Sequence, residues 1–189
     1  MRLLRISAIV FASALATGCA GVSTSVRELT PAQLADPQRG TIIVSTGAIE
    51  RCTGAGAAWA PIYDAATHKL AAGSPVVPVD ERSDSDYADH YGTLSALSLP
   101  AGRYVMAVEA ANPAYVDIDV PSFAFEVVAG QTRYLGSLLR ATRCGKAANI
   151  AVLDRYDADV GLATRLNPAL AARPPERALM QMMPPMPRR

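Results

Sequence analysis

Thr93-Leu94-Ser95-Ala96-Leu97-Ser98-Leu99-Pro100-Ala101-Gly102-Arg103-Tyr104-Val105-Met106-Ala107-Val108-Glu109-Ala110 is the stretch that decides the fold. Its second half sets Tyr104, Met106 and Val108 against Arg103, Val105, Ala107 and Glu109, the two-residue period of a strand with one buried face. Its first half alternates Leu94 and Ala96, then, after a one-residue slip, Leu97 and Leu99. Pro100-Ala101-Gly102 between them carries turn chemistry. The expectation is a hairpin with one face in a core.

The same grammar continues on both sides. Downstream, Ser122 to Val128 puts Phe123, Phe125 and Val127 on one face, Ala129-Gly130-Gln131 turns, and Thr132 to Leu139 brings Tyr134, Leu135 and Leu138, a second expected hairpin. Upstream, Thr41 to Ile49 and Ala58 to Asp64 read as strands, the latter with a Pro61 that belongs at an edge or a bulge. His68 to Ala72 and Val76 to Val79 are short strands, and Asn149 to Leu153 is a last buried one. Between them, Asp80 to His90 is too hydrophilic for a core and reads as an exposed loop. With no helix between the strands, the pattern specifies a mainly β fold, an antiparallel β-sandwich of about seven or eight strands. After Asp154 the period becomes helical: Tyr156, Val160, Ala163 and Leu166 share a face, and Asn167-Pro168 stops the run. The residues from Pro174 on, rich in Pro and Met, read as an unordered tail.

Leu99-Pro100-Ala101-Gly102-Arg103-Tyr104, with Phe123-Ala124-Phe125-Glu126-Val127 and Ala129-Gly130-Gln131-Thr132-Arg133-Tyr134-Leu135-Gly136, resembles the transthyretin-like and carboxypeptidase-regulatory-like domains of extracytoplasmic proteins, small bacterial lipoproteins among them. The resemblance implies an Ig-like or transthyretin-like sandwich. It implies no catalytic residue, because the matching positions are turn glycines and core aromatics.

At the N-terminus, Arg2 and Arg5 precede an apolar run from Ile6 to Leu15 that closes on Leu15-Ala16-Thr17-Gly18-Cys19-Ala20. A cationic start, a short apolar middle and small residues at a cut make a secretory signal. A run of ten residues is too short for a hydrocarbon core that needs about 20. The small residues before Cys19 resemble the bacterial lipobox, with Ala16 where leucine is commoner. That resemblance implies removal of residues 1–18, diacylation of Cys19 and attachment of the mature chain to a membrane; Ala20 in place of Asp implies the outer membrane, facing the periplasm. Residues 20–29 read as a polar tether, reaching roughly 20–30 Å when partly extended. Thr30-Pro31-Ala32-Gln33-Leu34 then signals a short helix with a capping box, ended by Asp36-Pro37. The expected organisation is thus a signal peptide at 1–18, a lipidated tether with a short helix at 19–39, one β-sandwich domain at 40–153, a helix at 154–173 and the tail at 174–189.

Eighteen Lys and Arg against 17 Asp and Glu give a net charge of +1, so no global field argues for nucleic acid. Of three cysteines, one is assigned to lipid, which leaves Cys52 and Cys144 as a pair in an oxidising compartment. A disulfide there closes a long loop, with a chain-entropy contribution on the order of 4–5 kcal/mol. Two free buried thiols or one reactive thiol are the competing readings.

Chemistry-bearing residues are few. His68 and His90 are the only histidines and no G-x-S-x-G elbow is present, so the sequence reads as a non-enzyme with no cofactor, a hydrolase being the last alternative. Asp80, Glu81, Asp84, Asp86 and Asp89 offer oxygen ligands, but in no EF-hand order, and read as a solvated loop. Met180, Met182, Met183 and Met186 cluster four thioethers of the kind that select Cu(I) or Ag(I), against the plainer reading of a sticky tail. Arg133, Arg140, Arg143 and Lys146 are expected to form a basic patch at one end of the sandwich, suited to an anionic polymer or a partner's acidic face. The expectation is an envelope lipoprotein, held in the membrane through Cys19, that serves as a non-catalytic binding or structural module for a protein or an envelope polymer. A soft-metal-chelating or envelope-stress lipoprotein using the methionines is the alternative.

Overall fold

The computed structural model describes residues 25–48, 58–71, 76–78, 85–110, 120–140 and 150–186. A 3-10 turn, Val26–Glu28, and a short helix α1, Pro31–Ala35, precede β1 (Arg39–Ala48), β2 (Ala58–Asp64), β3 (Val76–Pro78), β4 (Tyr91–Pro100), β5 (Gly102–Ala107), β6 (Glu109–Ala110), β7 (Val120–Val127), β8 (Thr132–Arg140) and β9 (Ile150–Leu153). Helix α2 (Tyr156–Leu166), a second 3-10 turn (Pro168–Ala172), β10 (Glu176–Arg177) and β11 (Gln181–Met186) follow. The strands form two sheets. One runs β10-β8-β1-β4, with β9 also paired to β8; the other runs β11-β7-β5-β2-β3, with β6 also paired to β2. The fold is a β-sandwich of mostly antiparallel strands with a helix near the C-terminus, as the sequence pattern specifies.

Between the sheets lie Ile42, Val44, Leu97, Leu99, Tyr104, Met106, Phe123, Phe125, Leu135 and Leu138. The first sheet is covered on its other face as well. There Ile43, Leu94, Ala96 and Tyr134 pack under Val26, Leu29 and Leu34 from the N-terminal segment and Ala163 and Leu170 from the C-terminal helical segment. This second core explains the irregularity in Thr93–Leu99. No residue slips: Leu94 and Ala96 point to the helical layer while Leu97 and Leu99 point between the sheets, so an unbroken alternation carries apolar residues on both faces.

Neither expected hairpin forms. β4 pairs with β1, whereas β5 pairs with β2 and β7. Likewise β7 pairs with β5 and β11, whereas β8 pairs with β1, β9 and β10. Both turns are corners that carry the chain from one sheet to the other. A hairpin and a corner share the same alternation and the same turn residues, and only the partner of each strand distinguishes them. At the first corner the Tyr104 hydroxyl donates to the Pro100 carbonyl at 3.0 Å, tying the start of β5 to the end of β4. The expected strand at His68–Ala72 is instead a turn with a single bridge, Tyr63 to Leu70. The Asp64 carboxylate organises that turn, accepting from the Ala66 and Thr67 amides at 3.1 and 2.7 Å, and these bonds hold its pKa below the usual range, the Thr67 amide contributing most.

Both termini depart from expectation. Within the presumed tether, Val26 is 1% exposed, and Asn167 of the C-terminal segment donates from Nδ2 to the Val26 and Leu29 carbonyls at 3.0 and 2.7 Å. Residues 25–29 therefore belong to the folded domain, and residues 19–24 lie outside the described residues. The capping box at Thr30 and Gln33 is present as read. At the other end, residues 176–186 are ordered as β10 and β11, not an unstructured tail. The Ala178 amide donates to the Tyr134 carbonyl and the Met180 amide to the Leu135 carbonyl, both at 2.9 Å, and Met180 fills the inter-sheet core. Two prolines in β11 disguise it, and an edge strand tolerates them because its outer amides need no ladder partner.

Candidate functional site

The helical face of the first sheet holds the most concentrated polar chemistry among the described residues. Asp159 lies on α2, one turn before Ala163, and both are fully buried. A carboxylate this deep is costly unless every lone pair is used. Ser45 of β1 donates to its Oδ2 at 2.5 Å, Tyr134 of β8 donates to the same oxygen at 2.6 Å, and Tyr87 donates to Oδ1 at 3.0 Å. Arg155 Nε stands 3.9 Å from Oδ1. The Tyr134 hydroxyl in turn accepts from the Arg155 amide at 3.1 Å. Burial first, and the Asp159 carboxylate beside them, push the Tyr87 and Tyr134 phenols far above their usual pKa, so both remain protonated donors.

A β-bulge makes this convergence possible. Ile43 pairs with Tyr134 but Ser45 pairs with Ser137, so β8 spends one residue more than β1 between these positions. The extra residue falls at Gly136, whose φ is +103°, and a Cβ there would meet Val152 Cγ1 at 2.6 Å. Past the bulge Leu138 still points between the sheets while Tyr134, before it, points at α2.

An outer arm extends from Tyr87. Its ring stacks on the His90 imidazole with centroids 4.3 Å apart, and the Arg155 guanidinium carbon lies 5.6 Å above it. His90 Nδ1 and Asp89 Oδ1 are 2.8 Å apart, and Arg155 Nη2 donates to Asp89 Oδ2 at 3.1 Å. The His90 bond first, then the Arg155 bond, bring the Asp89 carboxyl down to about 2. The His90 side chain is 6% exposed, and Nε2 has no hydrogen-bond partner. The ring fits only because residue 47 is glycine: a Cβ there would sit 2.5 Å from His90 Cδ2. Ser85 knits the segment, its hydroxyl accepting from the Tyr87 and Gly92 amides. The expected exposed loop is therefore, from Ser85 on, a folded clamp whose aromatic residues reach inward.

The arrangement can orient, neutralise and lock. Ser45 spends its proton on Asp159, and both oxygens of Asp159 are engaged by hydroxyl donors, so the cluster joins β1, β8, α2 and the Ser85–Gly92 segment. Among the described residues no group of three or more His, Cys, Asp or Glu could hold a metal ion.

The sequence-nominated residues fall elsewhere. Cys19, Cys52, Cys144, Arg143 and Lys146 lie outside the described residues, as do Asp80, Glu81 and Asp84. Arg133 and Arg140 do not share a patch: they stand at opposite ends of β8, about 23 Å apart along the strand. Arg133 bonds Glu126 at 3.2 Å and faces Glu176 at 3.7 Å, while Arg140 is 4% exposed. The methionines are divided too. Met180 is core, whereas Met182 and Met183 are 66% and 36% exposed on successive positions of β11, which point to opposite faces. Asp86 is spent on the Leu94 amide at 2.9 Å and on Arg27 at 3.2 Å.

Sequence reading missed Asp159 and its partners. The available signal was spacing: Asp159 stands three after Tyr156 and four before Ala163, on the stripe that reads as the buried face of the helix. No family model, curated protein or solved structure matches this chain.

Proposed function

We propose that this chain is a lipid-anchored envelope lipoprotein that works as a non-catalytic binding module for a protein or an envelope polymer, held at the outer membrane and facing the periplasm. The observation that carries the non-catalytic half is the state of the Asp159 cluster. Its hydroxyls and carboxylate are consumed by one another inside the molecule: Ser45, Tyr87 and Tyr134 all spend their protons on Asp159, and Ser45 and Asp159 are both 0% exposed, so neither meets a substrate from outside. The anchored half rests on the residues around Cys19; further along the chain, Val26 and Leu29 are docked on the fold through Asn167.

The Cys52–Cys144 disulfide belongs to the same reading. β1 and β8 are parallel neighbours, Ala48 is paired with Arg140, and each cysteine follows its strand end by the same four residues. Equal arms leaving adjacent strand ends favour a bridge between them. The transthyretin-like resemblance is consistent with the Tyr104 corner, where the Leu-Pro-x-Gly-x-Tyr pattern supplies a structural bond and no chemistry. Division of the methionines between core and edge removes one thioether from the soft-metal alternative.

The test is crosslinking in intact envelope followed by purification, with the wild-type chain and with Cys19→Ser. Specific recovery of one protein or polymer with the wild type, lost or much reduced with Cys19→Ser, is the expected result. Recovery of nothing specific by either chain contradicts the binding role.

A further inference from the structure

Three methionines within four residues of one another differ in what reaches them. Met182 and Met183 lie on β11, the terminal strand of its sheet, and are 66% and 36% exposed. Successive residues of a strand point to opposite faces, so solvent meets a thioether on each face of this edge. Backbone pairing with Phe123 and Ser122 of β7 holds both residues in place. Met180, two residues before Met182, is the reverse case. It is 5% exposed, packs among the apolar side chains between the sheets, and its amide donates to the Leu135 carbonyl at 2.9 Å. Met106 on β5 is fully buried in the same core.

A thioether has no proton to lose before it reacts, so access to sulfur decides where oxidation falls first. We propose that Met182 and Met183 form an oxidation site for hydrogen peroxide, and that docking of β11 shields Met180 from the same reaction. A sulfur lone pair attacks one peroxide oxygen, and the S–O bond forms as the O–O bond breaks. The proton of the attacked oxygen passes to the departing one, which leaves as water. The thioether is thereby oxidised by two electrons to a sulfoxide and the peroxide is reduced. At the rim the sulfoxide oxygen meets water, so the modification leaves the fold intact. At Met180 the same oxygen would be buried among apolar side chains, so β11 must leave its place before that sulfur reacts. Oxidation at Met182 and Met183 thus precedes undocking of β11, and oxidation at Met180 reports it. The inference uses the folded strand alone and does not depend on the lipid-anchor reading.

The test is a time course of the full chain in excess hydrogen peroxide, quenched at intervals, with sulfoxide at each methionine quantified by peptide mass spectrometry. In the folded chain, Met182 and Met183 are expected to oxidise several-fold faster than Met106 and Met180, and in urea above the unfolding midpoint the four rates are expected to converge. Equal rates in the folded chain, or an order that persists in urea, overturns the assignment. Calorimetry of protein oxidised only at Met182 and Met183 is expected to give the Tm of the untreated chain. A clear fall in Tm overturns the claim that this site lies outside the packed core.

Discussion

Asp159 is the residue on which the helical face depends. Replacement by Asn removes the charge that three hydroxyl donors serve and turns one oxygen into a donor facing them. The expected loss is about 2–4 kcal/mol, seen as a fall in Tm of about 5–15 °C by calorimetry. Tyr134→Phe removes one donor from a fully buried acceptor and costs about 1–3 kcal/mol. The two phenols also predict a pH dependence. Their pKa values are raised on folding, so above pH 10 the unfolded chain releases protons that the folded chain keeps. Stability is full below pH 10 and falls above it, by up to about 1.4 kcal/mol per pH unit for each tyrosine. Urea denaturation at pH 9 to 11 checks this, and Tyr134→Phe should flatten the decline. The cluster was legible in the sequence only as an acid on the apolar stripe of a helix. Its partners were not, since Ser45, Tyr87 and Tyr134 converge through a parallel strand pair and a bulge that no local pattern announces.

At the scale of elements, strand positions followed from alternation, and strand partners did not. Phe123-Phe125-Val127 and Tyr104-Met106-Val108 specify a buried face whether they pair with the next strand or cross to the other sheet. The corners predict that Tyr104→Phe loses one bond to Pro100, about 1 kcal/mol, without moving the fold. The bulge predicts more: Gly136→Ala places a Cβ against Val152 in a left-handed conformation, with an expected cost of about 1–3 kcal/mol, measured by chemical denaturation. β11 was hidden by its composition, because proline and methionine suggested a tail where the edge position permits a strand. A chain ending at Pro175 removes Met180 from the core and uncovers β7, and is expected to be several kcal/mol less stable than the full chain. Unchanged stability after that truncation would contradict the assignment of β11.

Taken as a whole, the molecule is a sandwich with a third, helical layer that seals one sheet and receives the N-terminal segment. Fold class was legible because period-two patterning recurs along most of the chain. The third layer was only half legible, since Val26 and Leu29 lie in a segment whose serines and threonines resemble a linker. The proposed function is one of position: a sandwich held at a membrane through lipid on Cys19. That account depends on what happens at Cys19. Intact mass spectrometry of the mature chain purified from envelope without reductant tests it most directly. The account predicts a chain beginning at Cys19 that carries acyl groups and lacks two hydrogens for the Cys52–Cys144 bridge. An unacylated chain, cut elsewhere or not at all, would contradict it.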